Sequence, residues 1–319
     1  MKAKFFISAI LLCMTNLMGA EAKLSGDTHF HFTMTDLENT EFGISRAYLT
    51  YENKVNEHLS YKFQTDIGSG GATAYTVFLK NAKIDWKTEM GKLTFGLQGM
   101  NMFNIQEGNW GYRFLEKSAM DRKGYSSSAD LGIGIESKIG PLSVSAMLTN
   151  GAGYKKAEDD QYKKISTRLL YGESKLDDGF NAGVVLSYEA MDYTAVHPVS
   201  MAPITEQGNT IVYGGFGAAA FGPIRVGCEY SMQTVNTAST SSSNLLSVYA
   251  NYDLSKKLAA FARADVYGSD VEGKGENYVI LGANYSPEKQ LSIAPNVMMI
   301  SPEGEDSEMT YRVSFRFKF

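Results

Sequence analysis

The first candidates for chemistry are the four histidines, His29, His31, His58 and His197. Asp27, His29 and His31 follow one another at two-residue spacing, which on a strand puts all three on one face and could offer three ligands to a metal. The same spacing also lines a wet wall with polar groups, and that plainer reading is the one adopted, with no metal or other cofactor. His58 falls in a turn and His197 in a loop, so no serine or cysteine gains a partner that would build a catalytic triad. Gly68-Ser69-Gly70-Gly71 is followed by neither a lysine nor a helical pattern; it reads as a loop, not a phosphate cradle. The chain is therefore not read as an enzyme.

What remains is charge, distributed in two ways. The stretch from Met102 to Ser128 concentrates charged and aromatic residues without any period. Its Glu107, Trp110, Tyr112, Arg113, Glu116, Lys117, Asp121 and Arg122 are the candidate functional residues of a loop that either narrows a passage or caps a surface. Elsewhere, ions recur singly at positions that alternate with apolar residues. The basic ones are Arg46, Lys62, Lys83, Arg168, Arg225, Arg263, Arg312, Arg316 and Lys318. Acids occupy equivalent positions, among them Asp27, Asp66, Glu136, Glu229 and Asp265. Thirty Lys and Arg stand against 35 Asp and Glu, a net charge of −5, which excludes a basic nucleic-acid binder.

The elements that would hold these ions are strands. Tyr311, Val313, Phe315, Phe317 and Phe319 alternate with Arg312, Ser314, Arg316 and Lys318, so one face is apolar and the other polar. The same period recurs at Leu59–Ile67, Ile224–Tyr230, Leu246–Leu254 and Leu258–Val266. Sixteen such runs are expected, at 24–35, 42–53, 58–68, 75–87, 92–101, 129–139, 142–150, 164–173, 180–190, 208–221, 224–233, 244–254, 257–268, 276–286, 290–300 and 309–319. Ser126–Ser128 and Ser241–Ser243 read as loop ends. The phase slips at Phe42 and Ile44 relative to Arg46, and again near Lys80; a bulge in each strand would explain it. Connections alternate between short turns and longer loops.

Lys2 and Lys4 precede an apolar run from Phe5 and an Ala20-Glu21-Ala22 cleavage site, so residues 1–22 read as a signal peptide and 23–319 as one domain. Cys13 falls in that leader, which leaves Cys228 without a disulfide partner. The longest apolar-looking stretch, Ile211–Phe221, is too short for a spanning helix. Export and an even number of strands about ten residues long suit an all-β transmembrane antiparallel up-and-down barrel, apolar toward lipid and polar toward a water-filled lumen. In that setting both termini are periplasmic, and the 102–128 stretch is the third of eight extracellular loops. An outer-membrane phospholipase would need serine and histidine on the lipid side, whereas Phe30 and Phe32 take that side here.

Several segments resemble the phosphate-selective porin O and P family and its porin-like relatives. They are Phe42-Gly43-Ile44-Ser45-Arg46-Ala47-Tyr48-Leu49, Lys80-Asn81-Ala82-Lys83-Ile84-Asp85, Gly111-Tyr112-Arg113-Phe114-Leu115-Glu116-Lys117 and Ser128-Ala129-Asp130-Leu131-Gly132. The resemblance implies an outer-membrane porin for passive diffusion of small hydrophilic solutes or ions, with the third loop folded into the lumen. It further implies a homotrimer, and Phe319 as the terminal aromatic read by the barrel assembly machinery. Outer-membrane lipid and lipopolysaccharide would be its surroundings. A phosphate channel of that family carries a basic ladder, whereas acids and bases are mixed here, so the expected preference is a weak lean toward anions. The expected field runs between a basic wall (Arg46, Lys62, Arg312 and Arg316) and acids of the third loop. The alternative reading is a surface barrel acting as an adhesin or receptor with little transport.

Overall fold

The computed structural model describes residues 22–36, 38–69, 75–158, 160–196 and 203–319. The leader, apart from Ala22, and His197 lie outside them. Sixteen antiparallel strands close into a barrel in which each pairs with its sequence neighbours and β1 pairs with β16. They are β1 (Lys23–Met34), β2 (Thr40–Lys54), β3 (Leu59–Ser69), β4 (Tyr75–Thr88), β5 (Gly91–Gly99), β6 (Ala129–Ile139), β7 (Leu142–Thr149) and β8 (Lys164–Gly172). The second half holds β9 (Gly179–Val196), β10 (Pro203–Phe221), β11 (Ile224–Asn236), β12 (Thr240–Ser255), β13 (Leu258–Ser269), β14 (Glu276–Glu288), β15 (Leu291–Pro302) and β16 (Glu308–Lys318). Two short helices, α1 (Asn104–Trp110) and α2 (Ala119–Arg122), lie in the connection between β5 and β6.

All sixteen expected runs are strands. The main differences lie at the long-loop end of the wall. There β9 and β10 continue their ladder to Val196 and Pro203, and β12 begins at Thr240, so Ser241–Ser243 are strand residues and not a loop end. Asp192 and Glu206 occupy these extensions. Beyond the bilayer both faces of a strand meet water, so the apolar alternation that marks a strand stops before the strand does.

Both slips of phase are bulges. The β1–β2 register passes from His29↔Arg46 to Phe30↔Ile44, which leaves Ser45 as the extra residue. That residue restores Phe42 and Ile44 to the outer face while Arg46 stays inside. Between β3 and β4 the register passes from Gln64↔Asn81 to Thr65↔Leu79, so Lys80 is extra. Lys80 and Asn81 are then both buried on the lumen side, while Val77 and Leu79 are exposed outside.

The outer surface has the layering of a bilayer. Trp86, Tyr171, Phe180, Phe221, Tyr252, Tyr285 and Phe317 are exposed at the short-turn ends of their strands. Phe42, Tyr75, Tyr188, Tyr213, Tyr230 and Tyr311 are exposed toward the loop ends. Aliphatic side chains such as Leu131, Ile133, Leu148 and Val184 lie between them. Two aromatic girdles around an aliphatic band match the two interfaces and hydrocarbon core of a membrane.

The seam between β1 and β16 leaves no free edge. Phe319 closes it just beyond the last strand: its N–H donates to the Gly26 carbonyl and its carbonyl accepts from the Gly26 N–H, both at 3.1 Å. Its ring lies over Gly26, where any Cβ would collide with it. Deleting Phe319 removes both bonds and the ring, and is expected to lower the yield of folded, heat-modifiable barrel in the outer membrane. Wild-type yield from the deletion would show that the seam closes without this residue.

Candidate functional site

The connection from Met100 to Ser128 lies inside the barrel. Helix α1 ends at Gly111, whose φ of 77° lets its N–H turn back to the Glu107 carbonyl at 3.1 Å. Ser118 caps α2 by accepting from the Asp121 N–H. These two turns fold the apolar residues of the loop to one side. Met102, Phe103, Ile105, Ala119, Met120 and Tyr125 pack on Leu170, Val185, Val212, Phe216 and Leu245 of β8, β9, β10 and β12. Trp110, Phe114 and Leu115 pack on Tyr249, Phe261, Tyr278, Ile280, Ala294 and Met298 of β12 to β15. The core of the protein is this contact between loop and inner wall.

Polar bonds pin the same face. Asn109 and Asn181 exchange amide hydrogen bonds at 2.8 and 2.9 Å. Asn251 donates to the Trp110 carbonyl at 2.9 Å, and the Trp110 indole donates to the Glu116 carbonyl at 3.1 Å. Arg263 is held by Asp265 at 2.6 and 2.8 Å and donates to the Lys117 carbonyl. Arg122 pairs with Glu276 at 2.6 Å, and Glu116 accepts from the Tyr278 hydroxyl at 3.2 Å.

The sequence-derived constriction residues therefore divide into two groups. Trp110, Glu116 and Arg122 face the wall and anchor the loop, so they are not free to line an aperture. Tyr112 packs against Phe261, with ring centres 4.9 Å apart and planes tilted by 40°. Glu107, Arg113 and Asp121 face the other way. Arg113 Nε lies 2.6 Å from Glu107, and its Nη2 lies 3.6 Å from Asp121. Burial pushes the Glu107 carboxyl above its ordinary value, and the Arg113 guanidinium opposes that shift. Arg46 and Lys80, on the opposite wall, also act on this carboxylate. The Glu107–Arg113–Asp121 face is thus turned toward the wall that carries Arg46 and Lys80.

The family model of phosphate-selective porin O and P matches residues 20–299. The chain belongs to that family. No curated protein matches the sequence. Among solved structures, the barrel is similar to a loop-deletion mutant of OmpT from Vibrio cholerae, with a TM-score of 0.70 at 13% identity over 93% of this chain and 99% of that one. It is also similar to an anion-selective porin from Comamonas acidovorans, with a TM-score of 0.67 at 11% identity over 93% and 99% of the two chains. Salmonella typhi OmpF in complex with daunomycin gives 0.63 at 13% identity over 93% and 97%. At these identities the likeness is one of fold. The protein is a channel-forming porin of the outer membrane, which its strands cross sixteen times.

The lumen wall of the porin is more neutral than its basic residues suggest. Arg46 pairs with the fully buried Asp66 at 2.6 Å, Lys62 with Glu52 at 3.1 Å, and Arg168 with Glu136 at 2.8 Å. Arg316 grips Asp27, with Nε 2.9 Å from Oδ1. Arg225 donates to the Leu176 carbonyl at 2.8 Å. Arg312 faces Thr33 across the seam. Of the expected basic wall, Arg46, Lys62 and Arg316 are thus neutralised by local pairs, and the loop acids Glu107 and Asp121 by Arg113. His29 is buried, bonded to Asp27 at 3.0 Å and edge-on to Phe114. Among the described residues no three metal-ligating side chains converge.

Sequence reasoning missed Glu276, which holds Arg122, and the inward position of Lys80. The slip of phase at Lys80 was the signal for the second of these.

Toward the short-turn end lies a cavity of about 690 Å³ along β1 to β8. Trp110→Ala would leave a void in the loop's seat and cost on the order of 3–5 kcal/mol of anchoring. The barrel should stay closed and heat-modifiable, while trypsin gains access to Arg113, Lys117 and Arg122 in the folded porin. Unchanged resistance to trypsin would mean that the indole does not hold the loop.

Proposed function

We propose that the porin passes small hydrophilic anions by passive diffusion, between the inward loop and the β1 to β7 wall, with only a weak preference over cations. The carrying observation is the lining of the wide cavity. Lys23, Lys54, Lys62, Lys83, Lys92 and Arg168 line it against Glu52, Asp85 and Glu136. This excess of cations raises local anion concentration, and low-dielectric walls strengthen the effect. The pairs Lys62–Glu52, Lys83–Asp85, Lys92–Glu136 and Arg168–Glu136 hold the preference down. A channel that strips water from phosphate would need charges free of such partners. The anion selectivity named for the Comamonas porin is consistent with this reading.

In this reading Glu107, Arg113, Lys117 and Asp121 form the constriction, and the lumen cations listed with their partners above tune it. The short turns and both termini face the periplasm after cleavage of the leader at Ala22. Phe319 is presented to the barrel assembly machinery, and the loop-end acids such as Asp36 and Glu303 lie at lipopolysaccharide. A V. cholerae OmpT structure is described as a trimer form, and three copies of this porin would assemble likewise.

The test is a planar bilayer with a potassium chloride gradient. The wild-type porin should give a small reversal potential on the chloride side. Excising residues 110–123 should raise single-channel conductance severalfold while the barrel persists. Unchanged conductance would make the loop a mere lining, and no conductance in the wild type would remove the diffusion role.

A further inference from the structure

A second loop enters the lumen from the same end of the barrel and reaches toward β2 to β4. The connection after β7 begins at Asn150, whose N–H donates to the Leu131 carbonyl at 3.0 Å. Asp130 accepts from the N–H groups of Gly151 at 2.6 Å and Gly153 at 3.2 Å. Both glycines have positive φ, 106° and 77°, which this tight reversal requires. The Tyr154 N–H then donates to the Ala129 carbonyl at 3.1 Å. Four bonds to the first turn of β6 therefore aim the next two side chains inward.

Those side chains cross the mouth. Tyr154 springs from between β7 and β8, yet Arg46 of β2 donates to its hydroxyl at 3.3 Å. Its ring stands edge-on to Phe78 of β4 at 6.4 Å, with Lys80 Nζ 3.8 Å from its centroid. Lys155 Nζ lies 5.2 Å from the centre of the Phe78 ring, and a Cβ at Gly68 of β3 would be 3.9 Å from it. Lys80 also donates to the Ser128 hydroxyl, where the first inward loop ends.

The charge at this mouth differs from that of the lumen wall. Arg46, Lys62, Arg168 and Arg316 each have a carboxylate partner. Among the described residues no carboxylate pairs with Lys80 or Lys155; a hydroxyl and aromatic faces hold them instead. Cation–π contacts and hydroxyls position an ammonium without cancelling its charge. Lys155 thus stands without a carboxylate partner beside a bridge only one tyrosine wide.

We infer that Tyr154 and Lys155 form a second constriction at the loop end of the passage, where Lys155 selects small anions before they reach the Arg113 face. This rests on the reading of the porin as an anion-leaning channel. Lys155 determines selectivity through its charge, and Tyr154 positions it and Arg46.

The experiment uses the full-length porin with Cys228→Ser, which removes the exposed native thiol. Lys155→Cys in that background should move the reversal potential in a potassium chloride gradient toward cations. A sulfonate-bearing methanethiosulfonate added from the loop side should move it further and lower the current. The ammonium-bearing analogue should return it toward the parent value. Modification by both reagents, seen by mass, with no change in reversal potential or current would overturn the inference while leaving the channel reading intact. A thiol that does not react would place residue 155 off the water path and overturn it as well. A parent without anion preference would overturn the channel reading, and this inference with it.

Discussion

A loop that carries Met102, Phe103, Ile105, Trp110 and Phe114 into a water-filled barrel must find apolar surface there. The lumen is built around that requirement. On the wall from β8 to β15, inward positions that would otherwise be polar are Leu170, Val185, Val212, Leu245, Phe261 and Ile280. Burial of apolar area holds the loop to that side. Amide and guanidinium bonds from Asn181, Asn251 and Arg263 then fix its register. The passage is what is left, along β1 to β7, where charged side chains such as Lys62, Lys83 and Asp85 share the lining with Ile135 and Met147. Removing apolar contacts from the seat would change the pore without touching a residue that a solute meets.

Charge is handled with equal economy. Most lumen cations stand next to an acid on a neighbouring strand or at the next inward position of their own, as in Arg46–Asp66 and Arg263–Asp265. Breaking one such buried pair would leave an uncompensated charge at several kcal/mol, so the pairs stabilise the wall while muting its field. At the mouth, by contrast, aromatic rings and a hydroxyl stand beside Lys80 and Lys155.

Much of this was legible in the sequence. A period of two with ions on one face set the sixteen strands, and the slips at Ile44 and Lys80 marked real bulges. The seat of the loop was also written there, though in a form that alternation treats as noise. Leu169-Leu170, Val184-Val185, Leu245-Leu246 and Ile280-Leu281 are apolar on both faces because one residue meets lipid and its neighbour meets the loop. What periodicity does not encode is contact between elements distant in the chain. Trp110, Glu116 and Arg122 looked like aperture residues by composition, but the partners that turn them to the wall lie more than a hundred residues away on β12 to β14. The Tyr154 bridge to Arg46 is hidden for the same reason.

The central claim, that the inward loop is seated on one wall and conduction follows the other, is tested most directly by tethering the loop where it lies. Asn109 and Asn181 exchange buried hydrogen bonds, so cysteines in their place, with Cys228→Ser, should be bridged by a short bifunctional thiol reagent in the folded porin. Single-channel conductance should then stay at the level of the untreated variant, because the tether lies off the passage. Absence of the bridge, or a bridge that closes the channel, would contradict the account.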